Sequence, residues 1–308
     1  MKKMTKVMLT IAAVLATIGL ALMIAASMMG GGISQVYTMA KNGELNFGDW
    51  HFEDGIYFSP KIGLTKLDRG NESCENTYGE EIKHLKIETD CADIQIRVEK
   101  REKLTVEMEK GYLRYYEEEV ENSDTLEISY DTDSHNYKEG PDISIYIPES
   151  WEMKTIIVEN EMGDIVLADL SKGCEKVDFY TAMGDIITNR CRIDGTYDAH
   201  TAMGNVTVED GYFRSASLDS NMGNVEFYGV TEGDLTLTTS LGDAIAEIEG
   251  NEKDYNVDIS TNMGSAFYNS KKHHNDMEGS YCHDSEHAKA DICLNSSMGD
   301  VRLTIEES

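Results

Sequence analysis

Positive charge is scarce in this chain. It carries 27 Lys and Arg against 57 Asp and Glu, a formal net charge of −30. All of the acids follow Met29, where 24 of the cations also lie, so that part carries a net charge near −33. Such a surface repels nucleic acid, anionic lipid and acidic polysaccharide, and no nucleic-acid partner is expected. The acids read either as solvation for an exposed surface or as attraction for a cation or a basic partner. Catalytic signatures are missing as well. There is no nucleophile elbow, no phosphate-binding loop and no cluster of carboxylates set beside basic residues, so the chain is not read as an enzyme. Long apolar runs are absent except for one, and no segment of the repeat region has a helical period.

What is present is a repeated phrase. A long apolar residue, a glycine and usually an acid or amide recur at Met162-Gly163-Asp164, Met183-Gly184-Asp185, Met203-Gly204-Asn205, Met222-Gly223-Asn224, Leu241-Gly242-Asp243, Met263-Gly264-Ser265 and Met298-Gly299-Asp300. The glycines stand 21, 20, 19, 19, 22 and 35 residues apart. That period is one turn of a solenoid. Positions seven and five before each glycine are mostly apolar, as in Ile156/Val158, Val177/Phe179, Leu235/Leu237 and Val257/Ile259. So are those two and four after it, as in Ile165/Leu167, Val206/Val208, Val225/Phe227 and Val301/Leu303. Alternation of this kind puts one face of a short strand into a core. The predicted fold is all-β: a parallel β-solenoid, or β-helix, of rungs about 20 residues long, preceded by one N-terminal transmembrane helix.

Three before the glycine stands Asn160, then Thr181, Thr201, Ser220, Thr239, Thr261 and Ser296. Stacked rungs would align these side chains roughly 4.8 Å apart as a hydrogen-bonded ladder. An eighth copy lies upstream at Leu85, Ile87, Thr89, Cys91-Ala92-Asp93-Ile94 and Ile96, with Cys and Ala in the Met and Gly slots. Leu104-Val106-Met108, Leu126-Ile128-Tyr130 and Ile143-Ile145-Ile147 read as irregular rungs with longer loops, giving a repeat domain over 81–308.

The step Cys91-Ala92-Asp93-Ile94, the step Ile145-Tyr146-Ile147-Pro148 and the array of Gly-Asp-Ile/Val rungs together resemble the bacterial putative-adhesin family, a family of unknown function with β-strand repeats. The resemblance implies an N-terminal membrane tether and a place in the cell envelope, in adhesion, binding or scaffolding. It also leaves open a sensory or regulatory ectodomain in envelope-stress signalling, acting through a membrane partner. The protein or glycan ligand is not named by it.

The apolar run is Val7 to Met29, 23 residues without a charge, preceded by Lys2, Lys3 and Lys6. At about 1.5 Å per residue it exceeds the ~30 Å hydrocarbon core. Lysines before it and only Lys41 soon after it predict a single-pass protein of the cell membrane, N-terminus cytoplasmic and repeats extracellular. A cleaved signal peptide is the rival, with Ala25-Ala26-Ser27 as the small-residue site. Residues 30–80 lack the repeat and read as a linker or stalk, with Trp50, Phe52 and Phe58 as candidates for contact with the bilayer.

Six cysteines outside the membrane suggest disulfides: Cys74 with Cys91, Cys174 with Cys191, Cys282 with Cys293, among fifteen pairings that six cysteines allow. No organic cofactor is called for, but two metals have candidate ligands. His273, His274, His283 and His287 crowd with Cys282 into an insertion at about 270–289, and His283 and His287 would share one side of a helical turn, a zinc arrangement. The plainer reading of the same insertion, and the one preferred here, is a solvated polar loop between rungs. Asp164 and Asp185, stacked after their glycines, offer carboxylates for calcium, or are ordinary turn residues. The six methionines of the repeat bring copper-binding thioethers to mind, yet Leu241 takes the same slot, so they are read as a packed core stripe.

Overall fold

The alternation becomes strand in every repeat. The computed structural model describes residues 72–132, 140–269 and 279–307, together with the backbone of the short strands at 50–51, 57–58 and 271–273. The chain divides into two units, Met1–Lys66 and Leu67–Ser308. In the first, Trp50–His51 and Tyr57–Phe58 pair antiparallel. The second holds the repeats. Its sheet begins at Glu72–Tyr78, inside the stretch that the sequence assigns to a linker.

Each glycine-bearing rung is two strands joined at its glycine corner, as in Lys176–Met183 followed by Ile186–Asn189. Successive rungs are parallel and in register, with Ile156 opposite Val177, Val177 opposite Tyr197, Ile165 opposite Ile186 and Ile186 opposite Val206. Four apolar columns therefore run through the stack, and their members are buried. Column sizes compensate along the axis. Phe179, Tyr197, Phe213 and Phe227 form a chain of ring contacts at 6.1, 5.3 and 5.5 Å, where Ala199 and Ala216 fill neighbouring interior positions. The one buried phenol in that chain is satisfied, Tyr197 sharing a 2.7 Å hydrogen bond with Thr188. Full burial of one such side chain is worth roughly 1.5–3 kcal/mol.

Nine rungs stack among the described residues, and their spatial order departs from their sequence order at both ends. The upstream copy, His84–Thr89 with Asp93–Glu99, lies second. Outside it sits a rung made of Thr125–Tyr130 and Asp142–Pro148. Of the three runs read as irregular rungs, Leu126-Ile128-Tyr130 and Ile143-Ile145-Ile147 thus share one rung, while Leu104–Gly111 is an antiparallel strand lying on its outer edge. Tyr116–Glu121 covers the other half of that edge, also antiparallel.

At the far end, Leu235–Leu241 pairs with Ala290–Met298 and not with Tyr255–Met263. Ala290–Met298 pairs with Tyr255–Met263 on its other side. The last rung in sequence is therefore inserted as the penultimate one. Open strand edges invite pairing with other chains. Here the terminal rung is covered by Gly279–His283 against Tyr255–Met263 and by Lys271–His273 against Ala266–Tyr268, both antiparallel. The insertion expected to be a solvated loop contributes these two covering strands.

The membrane segment Val7–Met29 lies outside the described residues. Among those that are described, no helix is long and apolar enough to cross a membrane. The only helical elements there are 3-10 turns at Leu113–Tyr115 and Glu252–Asp254.

Candidate functional site

The corner of each rung is where the repeat concentrates its chemistry. At Gly184 a Cβ would lie 2.1 Å from the carbonyl oxygen of Gly163, and the backbone φ is +153°. Stacking at strand distance leaves no room for a side chain there, which explains the glycine. The carbonyl so exposed needs a donor, and the residue three before the next glycine supplies it. Thr181 Oγ1 donates to Gly163 O at 3.1 Å, Thr201 Oγ1 to Gly184 O at 2.9 Å, and Ser220, Thr239, Ser296 and Thr261 repeat the bond to Gly204, Gly223, Gly242 and Gly299 at 2.8 Å. The predicted ladder of hydroxyls exists, but its partners are carbonyls of the neighbouring rung, not other hydroxyls. Asn160 does the same work at its rung, donating to Ala92 O at 2.9 Å and accepting from Thr89 at 2.8 Å.

One residue past the glycine a second ladder runs. Asp164 N–H donates to Asp93 Oδ1, Asp185 N–H to Asp164 Oδ1 at 2.8 Å, Asn205 N–H to Asp185 Oδ1 at 2.6 Å, Asn224 N–H to Asn205 Oδ1 at 2.9 Å, and Asp243 N–H to Asn224 Oδ1 at 3.0 Å. Asp300 and Ser265 continue it at 2.7 and 3.0 Å. Asp164 and Asp185 do stack on adjacent rungs, and each carboxylate accepts a backbone amide. Those amides stabilise the charge that stacking concentrates, and the two asparagines interrupt the row of carboxylates. Among the described residues no group of three or more His, Cys, Asp or Glu converges on a metal-sized space.

The methionines are the main correction. Alternation from Val177, Phe179 and Thr181 would turn Met183 inward, yet it is exposed. So are Met203, Met222, Leu241, Met298 and Met263, with Met263 at 56%. Met162 is half-buried and heads the row, which runs in register through Met183, Met203, Met222, Leu241, Met298 and Met263. The signal was in the parity of the repeat. Inward positions are odd before the glycine and even after it, so the pleat breaks between them and the methionine stands on the corner.

Beside this corner, the outward sheet face changes character along the stack. At its middle Tyr180 stacks on His200, ring centroids 5.4 Å apart and nearly parallel, and His200 Nδ1 lies 2.6 Å from Asp219 Oδ1. Asp178 pairs with Lys176 at 2.8 Å, while partial burial, then the charge of Asp178, raises the carboxyl of Asp198 above the usual range. Toward the early rungs the face opens into a cleft of about 560 Å³, lined by Glu88, Asp90, Glu117, Asp131, Glu159 and Glu161, with Tyr115, Tyr130 and Tyr180 on its walls. Its single guanidinium, Arg114, stacks over Tyr115 at 4.6 Å. Sequence alone does not reveal this cleft, because one wall comes from Arg114, Tyr115 and Glu117, on the turn and strand that fold back over the first rung.

The insertion does not form the helical turn that would pair its histidines. His283 lies on a strand opposite Val257, and His287 lies in a turn, its backbone N–H donating to Ser285 Oγ at 3.3 Å. His274 lies outside the described residues, and His273 is described only in its backbone. The six thiols are free. Cys282 and Cys293 face Asp258 from opposite sides, two strand spacings or roughly 9.6 Å apart, beyond the ~7 Å reach of a disulfide. Cys174 is level with Asp194, whose N–H donates to Cys174 O, so Cys191 falls three residues short of it. Cys74 sits opposite Met108 on the capping strands, whereas Cys91 occupies the Met slot of its rung and stays buried. Burial pushes the Cys91 and Cys174 thiols up to about 11 and that of Cys191 up to about 12.

A parallel β-solenoid with polar corner ladders and antiparallel covers is the class of protein this geometry defines. Residues 82–243 and 142–304 match the family model described as Toastrack DUF4097, and the chain belongs to that family. No curated protein matches it. Among solved structures it is similar to a putative cell adhesion protein from Clostridium sporogenes, at 14% identity over 77% of this chain and 99% of that one, TM-score 0.30. It is also similar to a putative adhesin from Bacteroides fragilis, at 11% identity over 76% and 98%, TM-score 0.36. A putative adhesin from Parabacteroides merdae gives 11% identity over 78% and 98%, TM-score 0.33.

Proposed function

We propose that the protein is a non-enzymatic binding module of the cell envelope, tethered by Val7–Met29 as a single pass with its repeats outside the cell. Family membership supports a binding module, and the lysines before the apolar run support the orientation. The observation that carries the reading is the outward face itself: parallel strands in fixed register, rising from a carboxylate-lined cleft through the Tyr180–His200 stack to the hydroxyls and amides of Thr238, Ser240, Asn295 and Ser297. Such a surface is rigid, hydrogen-bonding and flat enough to take an extended partner. Its acidic end suits cation-bearing groups on a protein or glycan ligand, the tyrosines adding cation–π contacts.

The test is retention of the full chain, in lipid nanodiscs, on arrays of surface proteins and envelope glycans at low salt. Wild type should be retained on a subset, and Glu159→Gln with Tyr180→Ala should weaken that retention by about tenfold, the loss of one charge and one cation–π contact. Equal retention of the variant on every captured ligand, or release of cleaved glycan by the wild type, would contradict the reading.

A further inference from the structure

The methionine slot is uniform where packing asks for no uniformity. Interior slots of the same rungs vary freely: the one four past the glycine holds Leu167, Thr188, Val208, Phe227, Ala246, Leu303 and Tyr268. The exposed slot before the glycine holds methionine in six of seven rungs, and those six account for most of the nine methionines after Met39. An apolar contact surface would be served by Leu, Val or Ile, which the chain uses throughout its core. What methionine adds is sulfur.

The geometry brings these sulfurs within reach of one another. Met162, Met183, Met203 and Met222 occupy consecutive rungs in register, so their Cα atoms are spaced by roughly one strand distance, ~4.8 Å. Each thioether sits on three rotatable bonds, and three of the four side chains are exposed, leaving their rotamers unconstrained by the core. Thioethers are soft, neutral donors that favour Cu(I) over calcium, magnesium or zinc. Glu161, Asp164 and Asp185 lie beside the row on a strongly negative protein and favour approach of a cation.

We propose that the uninterrupted run Met162–Met222 is a binding site for a soft monovalent cation, Cu(I), held by thioethers from consecutive rungs. Leu241 separates this run from the shorter pair Met298 and Met263.

The test uses the full chain in nanodiscs, with accessible thiols blocked by N-ethylmaleimide, methionine methyls labelled with carbon-13, and Ag(I) as a probe that does not change oxidation state. The methyl signals of Met183, Met203 and Met222 should shift together and saturate, while those of buried Met108 and Met153 stay in place. Met183→Leu/Met203→Leu/Met222→Leu keeps the apolar surface and, with Leu241 already at home in this slot, should keep the fold. It should bind Ag(I) at least about tenfold more weakly. Met203→Leu alone, a milder variant, should weaken binding part of the way. Equal Ag(I) affinity in the wild type and both variants, or wild-type methyl signals that do not move, would overturn the proposal; in the latter case the stripe serves as an apolar contact only.

Discussion

At Gly204 an added methyl group would stand 2.0 Å from the carbonyl oxygen of Gly184, on a backbone with φ of +154°. Gly204→Ala should therefore destabilise the repeat domain by about 2 kcal/mol or more, from strain and from displacement of one rung against the next. Denaturant unfolding measures it directly. Asp198 makes a prediction of opposite sign. Its carboxyl is raised in the fold by burial and by Asp178. The folded state then holds its proton more tightly than the unfolded state does, so its contribution is favourable in acid and is lost as pH rises through the raised value. Asp198→Asn should raise the melting temperature at neutral pH, and the gain should vanish below the ordinary carboxylate range. The glycine, hydroxyl and Asx slots were legible as a repeat because each answers a demand made by stacking. Their partners were not, since a hydroxyl ladder and a hydroxyl-to-carbonyl ladder have the same sequence. Met183 was misplaced for a related reason: period-two reasoning assumes an unbroken pleat, and the corner breaks it.

Among the elements, the order of rungs is the feature that sequence hides. Local alternation reports that Val301-Arg302-Leu303 is a strand; it says nothing of which strand lies beside it. The 35-residue spacing from Gly264 to Gly299 gave room for a covering excursion, and its polar composition concealed two short strands. The consequence is testable with cysteine pairs on the exposed corner. Leu241→Cys with Met298→Cys, neighbours in register, should crosslink under mild oxidation. Leu241→Cys with Met263→Cys, two spacings or roughly 9.6 Å apart, should not. The reverse outcome would restore sequential stacking and remove the insertion of the last strand. The antiparallel covers at both ends pair strand edges of the nine described rungs that would otherwise be open to further strands.

At the scale of the whole molecule, charge and architecture point the same way. A net charge of −30 and a polar outward face keep the surface solvated, which suits the proposed binding role. Fold class and family were legible because the repeat occupies most of the chain. The cleft was not, since it depends on a strand returning over the first rung. The proposed orientation of the repeats, outward from the cell, is tested most directly by protease shaving of intact cells. Loss of the C-terminal repeats from unlysed cells, with the Val7–Met29 segment retained in the membrane fraction, is the predicted result. Repeats that stay protected until lysis would contradict it and place the binding face on the cytoplasmic side.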